Sequence, residues 1–419
     1  MTHRPAPARR PSATRISPLL MLAALTACAA PTDPPPTALS DDQPADAAAA
    51  ADTVPSATVR VAVFNVIELS AEKLDLVDDD GHGAHAQLQA AAAVLQRVRP
   101  DIVLLNEIDY SATRDLPRLF VERYLQVPQE HGGEPLDYAH VVYEPVNTGV
   151  ASGFDLDEDG ATDGPGDAWG WGRYPGQYGM ALLSRHPVER DRVRTFRTLR
   201  WRSMPGHRMP DGVDGRPGWY EPAEAAALRL SSKSHWDVPV RIDDGASRTD
   251  GGWALHVLAS HPTPPVFDGD EDRNGRRNAD EIRFWADYLD GDADYLVDDD
   301  GRRGGLAQDA PFVLVGDLNA DPLTEGATHG AIARLLAHPR VHDPVPRTEG
   351  TPPPAEIDYP GDDRTRTSAY GRIDYALPSR SLQVAATGVH LPPDGDPART
   401  AAETASDHFL VWVDVALSR

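Results

Sequence analysis

Short apolar runs recur along the chain from residue 58 onward, and many of them end in an acidic or amide residue. Val59 to Val66 reads as a buried strand. Gln87 to Arg97 reads as an alanine-rich helix ended by Pro100-Asp101, and Ile102 to Leu105 as the next strand. Strand, helix and strand in that order form an α/β unit. Leu116 to Tyr124 predicts a second helix, and Tyr138 to Tyr143 and Gly179 to Leu183 predict strands. Ala226 to Ser231 and Trp253 to Ser260 read as an antiparallel pair. Glu281 to Leu289 and Ala331 to Leu336 predict helices; Phe312 to Val315, Ile373 to Leu377 and Phe409 to Val415 predict strands. The connections 144–177, 200–224 and 290–309 are rich in Gly, Pro, Asp and Trp, and loops of that length are usually functional or disordered. No internal repeat stands out, and no domain boundary after residue 57.

The first 57 residues follow a different pattern. Arg4, Arg9, Arg10 and Arg15 form a basic region, and Ile16 to Ala27 is apolar but too short to span a bilayer permanently. The segment closes on Leu25-Thr26-Ala27-Cys28, which resembles a bacterial lipobox, where the cysteine becomes the lipidated first residue of the mature chain. The alternative is an ordinary secretory signal with an incidental cysteine. Cys28 is the chain's single cysteine, so the folded part holds no internal disulfide. Residues 28–57 are Ala-, Pro- and Asp-rich and read as a flexible tether. The expected organisation is therefore a leader over 1–27, a tether over 28–57 and one folded domain over 58–419. The protein is expected outside the cytoplasm, lipid-anchored to a bacterial membrane surface, with no protein partner.

The formal net charge is −25. Such a surface repels polyanions at long range, and non-specific duplex binding normally needs a basic face. The charge argues against a high-affinity nuclease without excluding one, because bound cations reverse the sign locally.

The chemistry sits at the ends of the apolar runs. In order come Val63-Phe64-Asn65, Leu105-Asn106-Glu107, Ser260-His261-Pro262, Gly316-Asp317-Leu318-Asn319, Arg372-Ile373-Asp374-Tyr375 and Ser406-Asp407-His408. Each alone is commonplace at a turn. Together, hard oxygen ligands and imidazoles at strand ends can gather a divalent cation beside a phosphate, the equipment of metal-assisted phosphoester hydrolysis.

These motifs resemble the endonuclease/exonuclease/phosphatase superfamily over roughly residues 58–417. The resemblance implies an α/β fold, a four-layer sandwich of two packed mixed β-sheets flanked by helices. It implies Mg²⁺ (or Mn²⁺) held by Asn65, Glu107 and Asp407. It also implies a catalytic set of His261, Asp317, Asn319, Asp374 and His408, with Asp317 positioning or deprotonating water and Asp374 orienting His408. The substrate would be a phosphoester: nucleic acid, nucleotide or phospholipid headgroup. Phe64 stands where family members often carry tryptophan, and the loops are longer and more acidic than in typical nuclease members.

A second metal signature lies at Asp270, Asp272, Asn274, Gly275, Arg276, Asn278 and Glu281. It fits the twelve-residue pattern D-x-[DN]-x-[DN]-G-x5-E, with a helical segment after it, and predicts a weak structural Ca²⁺ loop. The alternative is an acidic surface loop. Asp155-x-Asp157-x-Asp159-Gly160 begins the same way but lacks the final Glu. Three functions remain open from sequence: a phosphodiesterase of nuclease type, a phosphatase or lipid phosphodiesterase, and a non-catalytic calcium-binding surface protein.

Overall fold

The computed structural model describes residues 58–212, 218–243, 253–291, 293–324 and 329–417. The leader, Cys28 and the tether lie outside the described residues. In chain order the elements are β1 Val59–Leu69, α1 Ala71–Leu74, α2 Ala86–Val98, β2 Ile102–Ile108, α3 Leu116–Phe120, β3 His140–Val142, β4 Gly179–Ser184, β5 Arg194–Thr195 and α4 Pro222–Ala227. They continue with β6 His235–Ile242, β7 Trp253–Ser260, α5 Arg273–Asp290, β8 Phe312–Asp317, α6 Ala331–Leu336, β9 Asp374–Pro378, β10 Leu382–Val389, α7 Ala398–Ala405 and β11 Val411–Leu417. One sheet runs β10-β11-β1-β2-β4-β3, the other β5-β6-β7-β8-β9. Both are mixed: β1 and β2 are parallel, as are β7 and β8, and the remaining pairs are antiparallel.

Side-chain alternation decides how the layers stack. Val257, Ala259, Val313 and Val315 face the first sheet and share a core with Val61, Val63 and Leu104. Leu258, Phe312 and Leu314, one residue out of phase on the same strands, face the other way. There they meet Ile282, Trp285 and Tyr288 of α5 and Ile332 and Leu335 of α6. Leu88 and Ala91 of α2 and Ala405 of α7 cover the six-stranded sheet. The result is helices, sheet, sheet, helices: the expected four-layer sandwich.

Two expectations fail. Ala226 to Ser231 is not a strand, because Glu221 and Glu224 form a capping box with Pro222 in the first turn and start α4 instead. The partner of β7 is β6, from His235 to Ile242. Pro239 disguises that strand, yet its backbone slot faces away from β7, where its carbonyl accepts the Glu189 N–H at 2.9 Å, so no ladder bond is lost.

The predicted calcium loop is helix. α5 begins at Arg273, with Asp272 as N-cap at φ 53°, so Asn274 to Glu281 cannot wrap an ion. Asp272 instead meets His329 Nε2 at 2.6 Å, and the Asn274 amide donates to the Val266 carbonyl. Asn278 Nδ2 donates to the carbonyls of Thr263 and Leu318 at 2.8 and 2.9 Å. Glu281 accepts the N–H groups of Ser232 and Thr263 at 2.7 and 2.6 Å. Asp270 precedes α5, and Arg276 lies in its first turn with its N–H on the Asp272 carbonyl at 3.0 Å. The polar residues of the pattern are scaffold, tying α5 to the loops at the ends of β7 and β8.

Two histidines held away from water, His235 and His390, are expected to make the fold acid-sensitive. Burial lowers His235 to about 4 although Glu281 opposes it, and burial also lowers His390 to about 4. The unfolded chain takes up protons near the ordinary value of about 6.5, well before the native state does, so stability is full above that pH and lost as pH falls toward 4. Each group accounts for about 3 kcal/mol of loss at full effect. Urea unfolding from pH 7 to 4 is expected to show this decline, and His390→Gln is expected to remove roughly half of it. A wild-type stability flat across that range would contradict the assignment.

Candidate active site

The strand directions bring the motifs to one edge of the sandwich. β1, β2, β7 and β8 deliver Asn65, Glu107, His261 and Asp317 at or near their C-terminal ends. β9 and β11 run antiparallel to β8 and β1, so their N-terminal ends reach the same edge with Asp374, Asp407 and His408. Asp317 and Asp374 are direct partners in the β8–β9 register.

The centre is a set of shared contacts. Asn65 Nδ2 donates to Glu107 Oε1 and to Asp317 Oδ2, both at 3.1 Å, so one amide spans two carboxylates from different sheets. Its Oδ1 accepts the Ile67 N–H at 3.1 Å. Asn65 therefore aligns the carboxylates, where the sequence expected a donor to the metal. Asn106 crosses the sheets too, its Oδ1 accepting the Asp317 N–H at 3.1 Å. His408 Nδ1 lies 2.8 Å from Asp374 Oδ2, and its Nε2 3.9 Å from Asp317 Oδ2. His261 Nε2 is 3.5 Å from that same oxygen. Asn319 donates its backbone N–H to Asp317 Oδ1 at 2.9 Å and its side-chain amide to the Pro262 carbonyl at 3.2 Å, joining the β8 end to the His261 loop. Asp407 is exposed on the cleft wall beside Glu107.

The backbone is strained where the site is built. Ile67, Glu68, Glu107, Tyr178 and Asn319 all have positive φ, between 39° and 65°. Such residues cost on the order of 1–3 kcal/mol each and cluster at functional sites. The ladder between β1 and β2 shifts register between Asn65 and Leu69, which turns Glu68 out of line. Gln87 of α2 pins this bulge to the far motif by donating to the carbonyls of Val66 and Ala405, at 2.7 and 2.6 Å.

The electrostatics separate the two histidines. Burial alone would lower His408, but Asp374 and Asp317 outweigh it and hold the imidazolium well above its ordinary range. His261 is pushed well below by burial, then by Lys233 and His408, so it is the neutral member. Burial, with Asp374 beside it, raises Asp317 to about 7, and burial raises Glu107.

Sequence reasoning missed Lys233. It lies just before β6, whose N-terminal end meets the same edge, and it is 5% exposed. Burial lowers its pKa while Glu281, Glu107 and Asp317 pull it up. Lysine is almost never this buried without a partner. The only trace in the sequence is a lysine between small polar residues, Ser231-Ser232-Lys233-Ser234.

The donor set suits a hard divalent cation. Glu107 and Asp407 both line the cleft, and the half-buried Glu107 carboxylate lacks a cation within the protein strong enough to lower it. Asp317, Asp374 and His408 also hold ligand atoms within 4.8 Å of one another, but the Asp374–His408 hydrogen bond already commits two of them. Asp155, Asp157 and Asp159 form the second such group, in a loop that lines the same cleft through Asp157.

Carboxylates, an oriented imidazolium and a buried lysine at one sheet edge define a metal-dependent phosphoester hydrolase. The Endonuclease/Exonuclease/phosphatase family matches residues 75–408, and the chain belongs to it. No curated protein matches in sequence. Similar solved structures include the endonuclease/exonuclease/phosphatase from Beutenbergia cavernae DSM 12333, with 20% identity, 86% of this chain and 72% of that one covered, and a TM-score of 0.45. The human Nocturnin catalytic domain with bound sulfate anion shares 14% identity over 86% of this chain and 95% of its own, with a TM-score of 0.43. Sphingomyelinase C from Streptomyces griseocarneus shares 17% over 86% and 99%, with a TM-score of 0.42.

Proposed function

We propose that the protein hydrolyses phosphodiesters with Mg²⁺ or Mn²⁺, outside the cytoplasm and anchored to a membrane surface through a lipid on Cys28. The observation that carries the catalytic reading is the shared Asp317 carboxylate: Asn65 ties it to Glu107, and both histidines face its Oδ2. A cation held by Glu107 and Asp407 would polarise a phosphoryl oxygen and stabilise the departing alkoxide. Asp317, raised to about 7, suits a base working near neutral pH. It orients a water and takes its proton as the water oxygen bonds to phosphorus. The opposite P–O bond breaks, and the leaving alkoxide takes a proton from solvent to become the alcohol. His408, held by Asp374, and Lys233 stabilise charge on the phosphoryl oxygens, with neutral His261 available as a hydrogen-bond donor.

The cation count favours a diester. Lys233, His408 and one divalent ion face Glu107, Asp317, Asp374 and Asp407, which leaves little excess positive charge for a dianionic monoester. The leader's composition and the Leu25-Thr26-Ala27-Cys28 sequence support the anchor. A panel with EDTA-stripped protein tests the activity. Cleavage of bis(4-nitrophenyl) phosphate is expected to return with Mg²⁺ and to exceed that of 4-nitrophenyl phosphate. Preference for the monoester, or equal turnover in EDTA, would refute the reading.

A further inference from the structure

The cleft does not end at the catalytic cluster. Its volume is about 900 Å³, large for a phosphate alone and at the upper end of small-molecule sites, roughly 300–1,000 Å³. Its lining joins Glu107, His261, Lys233 and His408 to an apolar set of Leu156, Trp171, Tyr178, Tyr220, Leu228 and Phe267. The apolar part is built by connections that precede β4, β6 and α5, not by the sandwich core.

Two of these side chains are exposed in the cavity wall. Phe267 is 89% exposed and its backbone sits at φ 67°, a conformation disfavoured for a bulky residue. Trp171 is 51% exposed and stacks on Tyr178, with ring centroids 6.1 Å apart at 26°. Neither belongs to the core, and both line the cavity that holds the catalytic residues.

The charges limit what else the ligand carries. Arg277 donates from Nε and Nη2 to the carbonyls of Leu230, Trp169 and Arg229, and Arg273 is paired with Glu271. Among the described residues, the lining cations that face the phosphate are Lys233 and His408, both at the catalytic cluster. Glu68 and Asp157 line the same cleft, so the further phosphates of a polynucleotide would pass carboxylates.

We propose that the cavity seats a bulky apolar arm of a singly phosphorylated substrate, so that the enzyme acts on phosphodiesters of hydrophobic alcohols and not on nucleic acid strands. This rests on the phosphodiesterase reading for the chemistry, though not for the binding.

Calorimetry on the Mg²⁺-loaded chain with methyl, butyl and hexyl phosphate tests it. Kd is expected to fall about 3–4-fold per added methylene, the worth of burying one CH₂. The double variant Trp171→Ala/Phe267→Ala is expected to weaken hexyl phosphate at least tenfold and leave methyl phosphate unchanged; both side chains are exposed, so the fold stands. Equal affinity for methyl and hexyl phosphate overturns the proposal, as does tighter binding of an oligothymidylate than of hexyl phosphate, or a double variant that binds hexyl phosphate like wild type. Turnover of methyl 4-nitrophenyl phosphate is measured alongside. Its absence removes the phosphodiesterase reading while the chain-length series still decides the apolar site.

Discussion

Glu107→Gln is expected to lower kcat about a thousandfold while leaving the protein as stable as wild type or more so. The substitution keeps shape and keeps an oxygen for the Asn65 amide, which donates to Glu107 at 3.1 Å. It removes only the negative charge. Stabilising charge as it develops on phosphate is worth several kcal/mol, and a thousandfold loss corresponds to about 4 kcal/mol. The stability half has an independent cause: Glu107 is half-buried, its carboxyl is raised by that burial, and Asp407 adds repulsion. Without a cation such a charge destabilises the fold, so neutralising it relieves the metal-free protein. Mg²⁺ titration by calorimetry and unfolding in EDTA check both halves. A variant with wild-type Mg²⁺ affinity and kcat within tenfold would remove Glu107 from the metal site.

The strands that carry the chemistry were legible because each is an apolar run with a marked residue at or near one end; β1, β2, β8, β9 and β11 all fall close to the expected places. The elements missed are the ones whose local signal is overridden. Pro239 hides β6, and the Ala-rich α7 carries no strong cap, starting from Pro397 without a side-chain hydrogen bond. The calcium pattern shows the same limit from the other side. Asn278 and Glu281 occupy ligand positions in sequence, but what they hold is backbone from Thr263, Leu318 and Ser232, supplied by elements far away in the chain.

One hexapeptide makes the point directly. Leu-Val-Asp-Asp-Asp-Gly occurs at 76–81 and again at 296–301. Both copies fold into the same turn: Asp78 Oδ1 accepts the N–H groups of Asp80 and His82, and Asp298 Oδ1 those of Asp300 and Arg302. Local conformation was therefore in the sequence. Environment was not: Asp78 is exposed, whereas Asp298 is buried against Arg194 at 2.7 Å. The same applies at the site. Residue types at strand ends announced Glu107, Asp317 and His408, but nothing local could say that Lys233 is buried among them or that Asn65 turns its amide nitrogen, not its oxygen, toward the carboxylates.

Asp374→Asn is expected to cost about 10²–10⁴ in kcat, the range of a lost acid–base or orienting partner, with little change in stability. Asp374 acts through His408, and its 2.8 Å contact both fixes the ring and keeps it charged. Its backbone N–H is separately held by Thr367 Oγ1 at 3.0 Å, so the strand start survives the substitution. With an amide in place of the carboxylate, burial is no longer outweighed and the imidazole loses its proton at a lower pH. The sign follows: if the cationic form is the active one, the alkaline limb of the kcat profile moves toward acid, and the variant's deficit is larger at pH 8 than at pH 6. A purely structural role would lower activity evenly across pH and lower the unfolding midpoint with it. An unmoved alkaline limb with wild-type kcat would show that His408 works without Asp374. His408→Ala then provides the reference, because in that background Asp374→Asn is expected to have almost no further effect on turnover.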